Sequence, residues 1–417
     1  MLDILINDIL ATPSILIGIF VLLGNVLLKK SIADVTSSTF KTVIGFTMLN
    51  LGAGIVAGSL DSFGIMFTEA FGLQAAVMNT DAYGAILIET YHLAPIIFII
   101  GMLLNLVIAK YTRFKYIYLT GQLGLYMAGM LAMILDGFNP LITIIIGGSL
   151  LAAYMALAPA ITQKYTTDIT GEDNFSIANS GSIGFFLAAK VGEWFGDKDK
   201  TTEDINVPQS LAFLQDPTVS MSLTMSLLFI FVSIFTGAEF IETNLSNGQN
   251  FIFFSFMQGI IFAAGVQVLL TGINMAIDEL VPAFKGIADR MIDGAIPGID
   301  APVMAKYSPN AMILGFIISL SASLLGMFGL SLLGLPLIIP GMVQHFFLGG
   351  ITATYGNSTG GRRGAVIGSF LNGIMMAILP SLFLVFVDAG ISDIVILGDS
   401  DYTIIGLLLE TLAKLFN

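Results

Sequence analysis

The sequence predicts an all-α polytopic membrane protein, and three observations predict it. Of the 417 residues 56% are hydrophobic, only 11% are charged, and the mean hydropathy is +0.91. An ordinary soluble domain carries about 25% charged residues, and a soluble fold has nowhere to hide this much apolar side chain. The apolar residues gather in blocks long enough to cross about 30 Å of hydrocarbon, which takes about 20 residues. The sixteen Lys and Arg residues can all be placed on one side of those blocks. Together these exclude a water-soluble globular enzyme, a disordered tail and a nucleic-acid binder. The 45 glycines suit helices that approach closely or break.

The expected spans are 9–28, 42–60, 93–109, 116–136, 140–162, 217–238, 251–273, 309–330, 335–355, 365–388 and 402–416, about eleven in all. The first begins near Ile9 after acidic residues and lacks a small-residue cleavage site, so no cleavable signal peptide is expected. Lys29, Lys30 and Lys41 fall between spans one and two; Lys110, Arg113 and Lys115 between three and four. Lys164, Lys190, Lys198 and Lys200 fall between five and six; Lys285, Arg290 and Lys306 between seven and eight. Arg362 and Arg363 fall between nine and ten, and Lys414 lies near the end. The positive-inside rule makes that side cytoplasmic, with the amino terminus outside and the carboxyl terminus inside. The opposite loops carry Asp61, Glu69, Glu239, Glu242, Asp388, Asp393, Asp399 and Asp401, and no base.

Three stretches are too broken to cross cleanly: 77–92, 175–193 and 295–308. Non-helical backbone at membrane depth survives only inside protein or beside a water-filled cavity, and transporters build solute sites from such broken helices. A surface loop or interfacial helix is the plainer reading of each. The run Lys41–Gly45 (KTVIG) faintly echoes Gly364–Gly368 (GAVIG), which a duplication or chance could produce. The stretch 194–216 is the one long hydrophilic loop, a solvated connection or a docking face for a cytoplasmic partner.

The chain has no cysteine, so it offers no disulfide, thiolate metal site or thiol nucleophile. Two histidines, His92 and His345, are too few for a histidine-rich metal centre, no H-E-x-x-H motif occurs, and no cofactor is expected. Gly356–Gly360 (GNSTG) formally matches G-x-S-x-G, but that pattern needs a strand–turn–helix elbow and a histidine partner, and the sequence places it in a loop beside Arg362 and Arg363. Asp278 and Glu279 read as helix-end residues. The 20 Met and 32 Phe are explained by lipid-facing and helix-packing positions, and Trp194 by an interfacial anchor.

Several motifs in order carry a resemblance to a known family. They are Lys41-Thr42-Val43-Ile44-Gly45-Phe46 with its continuation TMLNLGAGIV, LTG at 119–121, FSI at 175–177 and DELVPAFKGIADRMIDGAIPGID at 278–300. SPNA at 308–311, IIPG at 338–341 and the late Gly-Gly-Arg-Arg complete the set. From about residue 20 to 390 the chain resembles the ascorbate-type membrane component (enzyme IIC) of the bacterial phosphotransferase system, with galactitol-type components more distant. The resemblance implies one integral permease domain over 1–417, made of an interleaved core that holds solute and a scaffold that forms a homodimer. It implies eleven spans in the bacterial inner membrane and elevator-like movement of core against scaffold. It further implies inward carriage of ascorbate, another carbohydrate or a sugar alcohol, phosphorylated by a cytoplasmic enzyme IIB that is served by IIA. Without cysteine, the phosphorylated residue in this class of IIB, the chain is not a catalyst alone.

Carried over residue by residue, the family's solute contacts fall near Asn50, Thr80, Gln122, Tyr126, Asn179, Ser180 and Asp300. Amides suit a polyhydroxylated solute because they both donate and accept. Asp300 is the candidate catalytic residue: an ionisable group at membrane depth that could accept a hydrogen bond from a solute hydroxyl and raise its nucleophilicity. Where ascorbate carriers have histidine after LTG this chain has Gln122, and four residues on Tyr126 replaces glutamine. Ala-Asn-Ser-Gly-Ser at 178–182 replaces a Gly-His-Gln-Gln-Gln stretch, and Asn50 replaces glutamine. Losing two potentially cationic histidines points to a neutral, hydroxyl-rich solute. The alternative is an ion-coupled secondary transporter using Asp300 or Glu89.

Overall fold

The computed structural model describes residues 13–72, 75–205, 216–387 and 395–416. The first half runs α1 (Pro13–Leu27), α2 (Ile32–Phe71), β1 (Ala75–Met78), α3 (Thr80–Thr90), α4 (Ala94–Tyr111), β2 (Tyr116–Tyr118), α5 (Gly121–Ile134), α6 (Pro140–Thr170), β3 (Ser176–Ile177) and α7 (Ser182–Phe195). The second runs α8 (Pro217–Thr236), α9 (Ala238–Asn244), α10 (Phe251–Met291), β4 (Ile296–Ile299), a 3-10 turn (Ala301–Lys306), α11 (Pro309–Leu333) and β5 (Leu337–Ile339). It continues through α12 (Met342–Gln344), a π turn (His345–Gly349), α13 (Gly350–Phe386), β6 (Val395–Ile396) and α14 (Ser400–Phe416).

Local chemistry sets many of these ends. Ser31 Oγ accepts from Asp34 N at the start of α2, and Asn139 Oδ1 accepts from Leu141 N before Pro140 opens α6. Gly72, Gly171 and Gly334 close α2, α6 and α11 in the left-handed conformation. Among the described residues five helices are long and apolar enough to cross a membrane: Ala94–Tyr111, Pro140–Thr170, Phe251–Gly272, Pro309–Leu333 and Met342–Phe386. A sixth is reached if Met221–Thr236 and α9, bent by 107°, count as one. The protein is thus a largely helical, polytopic membrane protein.

Several expected spans take another form. Residues 9–12 of the first lie outside the described residues. The span expected over 116–136 is a three-residue strand followed by a helix of 14 residues, about 21 Å long and short of the bilayer core. The spans expected at 335–355 and 365–388 are two helical arms that fold back on each other at Gly360–Gly361, where Gly361 takes φ +57°: Gly356 lies against Gly364, and Ser369 Oγ donates to Gly349 O at 3.2 Å. Gly356–Gly360 thus forms the end of the first arm, with Gly360 already out of helical conformation at the turn, and Ser358 Oγ donates to Tyr355 O at 2.8 Å, so no nucleophile elbow forms. Asp278 and Glu279 sit well inside α10. Glu279 accepts from Ser38 Oγ at 2.6 Å and pairs with Lys41 at 2.9 Å, tying α10 to α2.

Six short strands form two parallel three-stranded sheets, ordered β5-β1-β6 and β2-β4-β3. The central strand of each comes from one half of the chain and both flanking strands from the other. Their registers match: Ala75 pairs with Leu337 and Val77 with Ile339, as Ile296 pairs with Tyr116 and Gly298 with Tyr118. Two halves that exchange these roles are a duplicated unit with pseudo-two-fold symmetry. The duplication pairs α2 with α10, α4 with α11 and α7 with α14. The Lys41–Gly45 and Gly364–Gly368 echo lies on α2 and α13, which are not counterparts, so it does not mark the repeat.

The edge of β2 is satisfied by Asn105 of α4, which donates to Tyr116 O at 3.2 Å and accepts from Tyr118 N at 3.1 Å. Buried strands so short are tenable in a membrane protein only because such partners complete them. α7 packs on α13 through glycines: a Cβ on Gly192 would collide with Thr359 Oγ1 and lie 2.8 Å from Gly356 O. Gly192→Val is therefore expected to lower the melting temperature of the purified protein by several degrees, because overpacking costs about 1–3 kcal/mol. An unchanged melting temperature would show that the two helices can separate without cost. The connection after α7 is anchored rather than freely solvated. Asp197 N donates to Gly360 O at 2.8 Å, Arg362 Nε to Thr201 O at 2.8 Å, and Glu203 accepts from Ala311 N at the start of α11; residues 206–215 lie outside the described residues.

Candidate solute site

Each strand runs directly into the start of a helix or helical turn. The residues just past the strands converge on one cavity of about 290 Å³, near the lower end of small-molecule sites at about 300 Å³. Thr80 and Asp81 come from the start of α3, Gln122 and Leu123 from α5, and Asn179 and Ser180 from the approach to α7. Asp300 and Pro302 come from the 3-10 turn, Val343 and Gln344 from α12, and Asp399 from the approach to α14. Leu270 and Asn274 of α10 form a separate wall. Acidic side chains suit these places because a helix N-terminus carries partial positive charge and free N–H groups.

The polar groups are extensively paired. Thr80 Oγ1 and Ser180 Oγ both donate to Asp399, and Thr80 Oγ1 also accepts from Gly398 N at 3.0 Å. Gln122 Nε2 donates to Asp81 Oδ1 at 2.6 Å. Asn179 Nδ2 donates to Asp300 Oδ1 at 2.9 Å, and that oxygen also caps Ala301 N at 2.7 Å. Asp300 Oδ2 has no hydrogen bond among the described residues, and the side chain is exposed to the cavity rather than packed away. One oxygen is held and the other is presented.

Behind this wall Asp401 braces the two halves. Its carboxylate accepts from Ser182 N at 3.2 Å, Ile183 N at 2.9 Å and Tyr154 Oη at 3.2 Å, while its own N–H donates to Ser180 O at 3.0 Å. It thereby caps α7 from the start of α14, 219 residues away in sequence.

Of the seven residues singled out from the sequence, Thr80, Gln122, Asn179, Ser180 and Asp300 meet in the cavity. Tyr126 is wholly buried one turn behind Gln122, with its ring against Gly84 of α3, and does not line the cavity. Asn50 lies on α2, and its side chain, like that of Glu89, is outside the described residues. Sequence reasoning missed Asp81, Gln344 and Asp399. Asp399 and Asp401 were expected in an outer loop; instead they are 5% and 0% exposed, because two strand residues and a helix start replace the end of that loop. Asp388 and Asp393, expected beside them, lie outside the described residues. A usable signal existed: Val77-Met78-Asn79-Thr80-Asp81 and Val395-Ile396-Leu397-Gly398-Asp399 both set a short apolar run before helix-capping residues. His345 is buried within the π turn with Nδ1 2.7 Å from Ser319 Oγ, and no group of three metal-ligating side chains occurs among the described residues.

Broken helices that enclose a polar cavity inside a polytopic membrane protein define the build of a solute carrier. Residues 8–403 match the family described as PTS system sugar-specific permease component, EIIC-GAT. The chain therefore belongs to the sugar-specific permease family of the phosphotransferase system, as the sequence motifs suggested. It is 24% identical over 438 aligned residues to the ascorbate-specific PTS system EIIC component of Mycoplasma pneumoniae, an alignment that covers 91% of this chain and 66% of that protein. The chain thus spans just under two-thirds of the length of this relative.

Proposed function

We propose that the protein is the membrane permease component of a phosphotransferase system in the bacterial cytoplasmic membrane, importing a neutral, polyhydroxylated solute related to ascorbate or to sugar alcohols. One observation carries this reading. The residues that follow six strands present Asp81, Asp300, Asp399, Gln122, Asn179 and Gln344 to a single cavity whose lining, among the described residues, includes no Lys, Arg or His. Hydroxyls can donate to those carboxylates, whereas an anion such as ascorbate would meet like charge at short range.

In this reading Asp300 Oδ2 accepts a solute hydroxyl and takes its proton as the oxygen attacks the phosphoryl group of a cysteine-phosphorylated enzyme IIB. The new O–P bond forms as the S–P bond breaks, and the thiolate leaves with its electron pair. IIA recharges IIB, and the orientation places the amino terminus outside and the carboxyl terminus in the cytoplasm. The body containing the two sheets moves, elevator-like, against α2 and α10, whose Leu270 and Asn274 form the opposing wall, and the protein works as a homodimer.

Uptake of labelled ascorbate and of a panel of pentitols and hexitols, with the cognate IIA and IIB present, tests this. Expected is phosphorylated polyol inside and no saturable ascorbate uptake at micromolar concentration; saturable ascorbate uptake at that level would refute the neutral-solute reading. The acid-rich lining also favours a second reading, an ion-coupled transporter. It requires uptake in vesicles without phosphorylation machinery, abolished when ion gradients are dissipated, and a phosphorylated product inside rules it out.

A further inference from the structure

The cavity is unevenly supplied with hydrogen-bond donors. The Thr80 and Ser180 hydroxyls are spent on Asp399, Gln122 gives an N–H to Asp81, and Asn179 gives one to Asp300. What this side offers a solute is mainly acceptor, above all Asp300 Oδ2. A hydroxyl also has lone pairs to satisfy, and some group must donate to them.

Gln344 is that group. It lines the cavity, is only 5% exposed, and its side chain makes no hydrogen bond among the described residues. Asn274, the other lining amide without one, is exposed on α10. Its amide atoms open on the cavity rather than being sealed in the protein, so its donors are free to serve a ligand. Its position is also well supported. β5 delivers the chain to α12, the following π turn is pinned through His345 and Ser319, and Gly341 leaves the room that Gln344 Oε1 occupies. A π turn of this kind re-aims a helix face at a functional site.

We propose that Gln344 is a specificity-determining contact, its side-chain N–H donating to a solute oxygen that the carboxylate side of the cavity does not serve. This rests on the neutral-polyol reading above. The test is calorimetric binding of ribitol, xylitol, D-arabinitol and D-glucitol, and of their monodeoxy analogues, to the detergent-purified full chain and to Gln344→Leu and Gln344→Glu. The glutamate variant keeps the shape and, at a pH where it is ionised, has no donor, so binding measured there separates a donor role from a packing role even where the leucine variant folds poorly.

The wild type is expected to bind one polyol and to discriminate about tenfold or more against one of its deoxy positions. Both variants are expected to bind that parent polyol about tenfold or more weakly and to lose discrimination at that single position. Wild-type affinity in Gln344→Glu, or unchanged deoxy discrimination in both variants, overturns this proposal alone. A wild type that binds none of these polyols overturns it together with the reading on which it rests.

Discussion

In the Asp300→Asn variant, phosphorylated solute ceases to accumulate while the protein folds and still binds the unmodified solute. The substitution is nearly isosteric. The new Oδ1 can still accept from Asn179 Nδ2 and Ala301 N, the two bonds that now fix the carboxylate at 2.9 and 2.7 Å, so the turn and its cap survive. What changes is the second atom, which faces the cavity as an N–H donor instead of an acceptor able to take a proton. Positioned general bases contribute about 10²–10⁴ in rate, so a fall of that size in phosphorylation is expected, with solute affinity changed about tenfold or less because one of several contacts is altered. Asp300→Ala removes the cap as well and is expected to lose binding and phosphorylation together. The measurement is phosphorylated product formed by membranes with purified IIA and IIB, alongside equilibrium binding to the same variants. Wild-type phosphorylation by Asp300→Asn would remove Asp300 from the chemistry and leave it a capping residue.

The same carboxylate illustrates what one-dimensional reading can reach. The interruptions at 77–92, 175–193 and 295–308 stand out because Gly, Asn, Ser and Pro disrupt the apolar runs, and each proves to be a strand entering a helical start. Asp300, Asn179 and Thr80 were found within them. The fourth junction, at Tyr118–Gln122, was absorbed into an apparent span because Tyr116–Tyr118 and α5 are both apolar and only Leu119-Thr120 separates them. The junctions at 337–344 and 395–401 were hidden for related reasons. Gln344 sits in a run apolar enough to pass for a span, and Asp399 and Asp401 resemble loop anions when read locally. Their burial is made tolerable by partners 218 or 219 residues away, Ser180 and the N–H groups of Ser182 and Ile183, and by Thr80 at 319. No local window contains that information. The pseudo-symmetry was likewise invisible, because it is expressed in strand register rather than in repeated residues.

The acids at 399 and 401 differ in what they support, and the larger effect on stability is expected at the one that does not line the cavity polar wall itself. Asp401→Ala removes acceptors for two backbone N–H groups at the start of α7 and for Tyr154 Oη. α7 loses its cap and the Ser182 and Ile183 N–H groups are left without an acceptor, while Tyr154 Oη still donates to Asn179 O at 3.2 Å. Losing a cap costs about 0.5–2 kcal/mol and stranding a buried polar group about 1–3 kcal/mol. The combined loss is therefore on the order of 3 kcal/mol, a large fraction of the stability of an ordinary domain at about 5–15 kcal/mol. A marked fall in melting temperature and in the yield of monodisperse protein is expected. Asp401→Asn, which retains one acceptor oxygen, is expected to be milder and to recover much of both. Because Asp401 N also holds Ser180 O, and Ser180 Oγ holds Asp399, slackening here should spread to the cavity. Solute binding by the folded fraction of Asp401→Asn is then expected to weaken although residue 401 touches no solute. If Asp401→Ala melts at the wild-type temperature, the bridge between α14 and α7 contributes nothing, and the two halves must be held together elsewhere, through the sheets and the contact of α2 with α10.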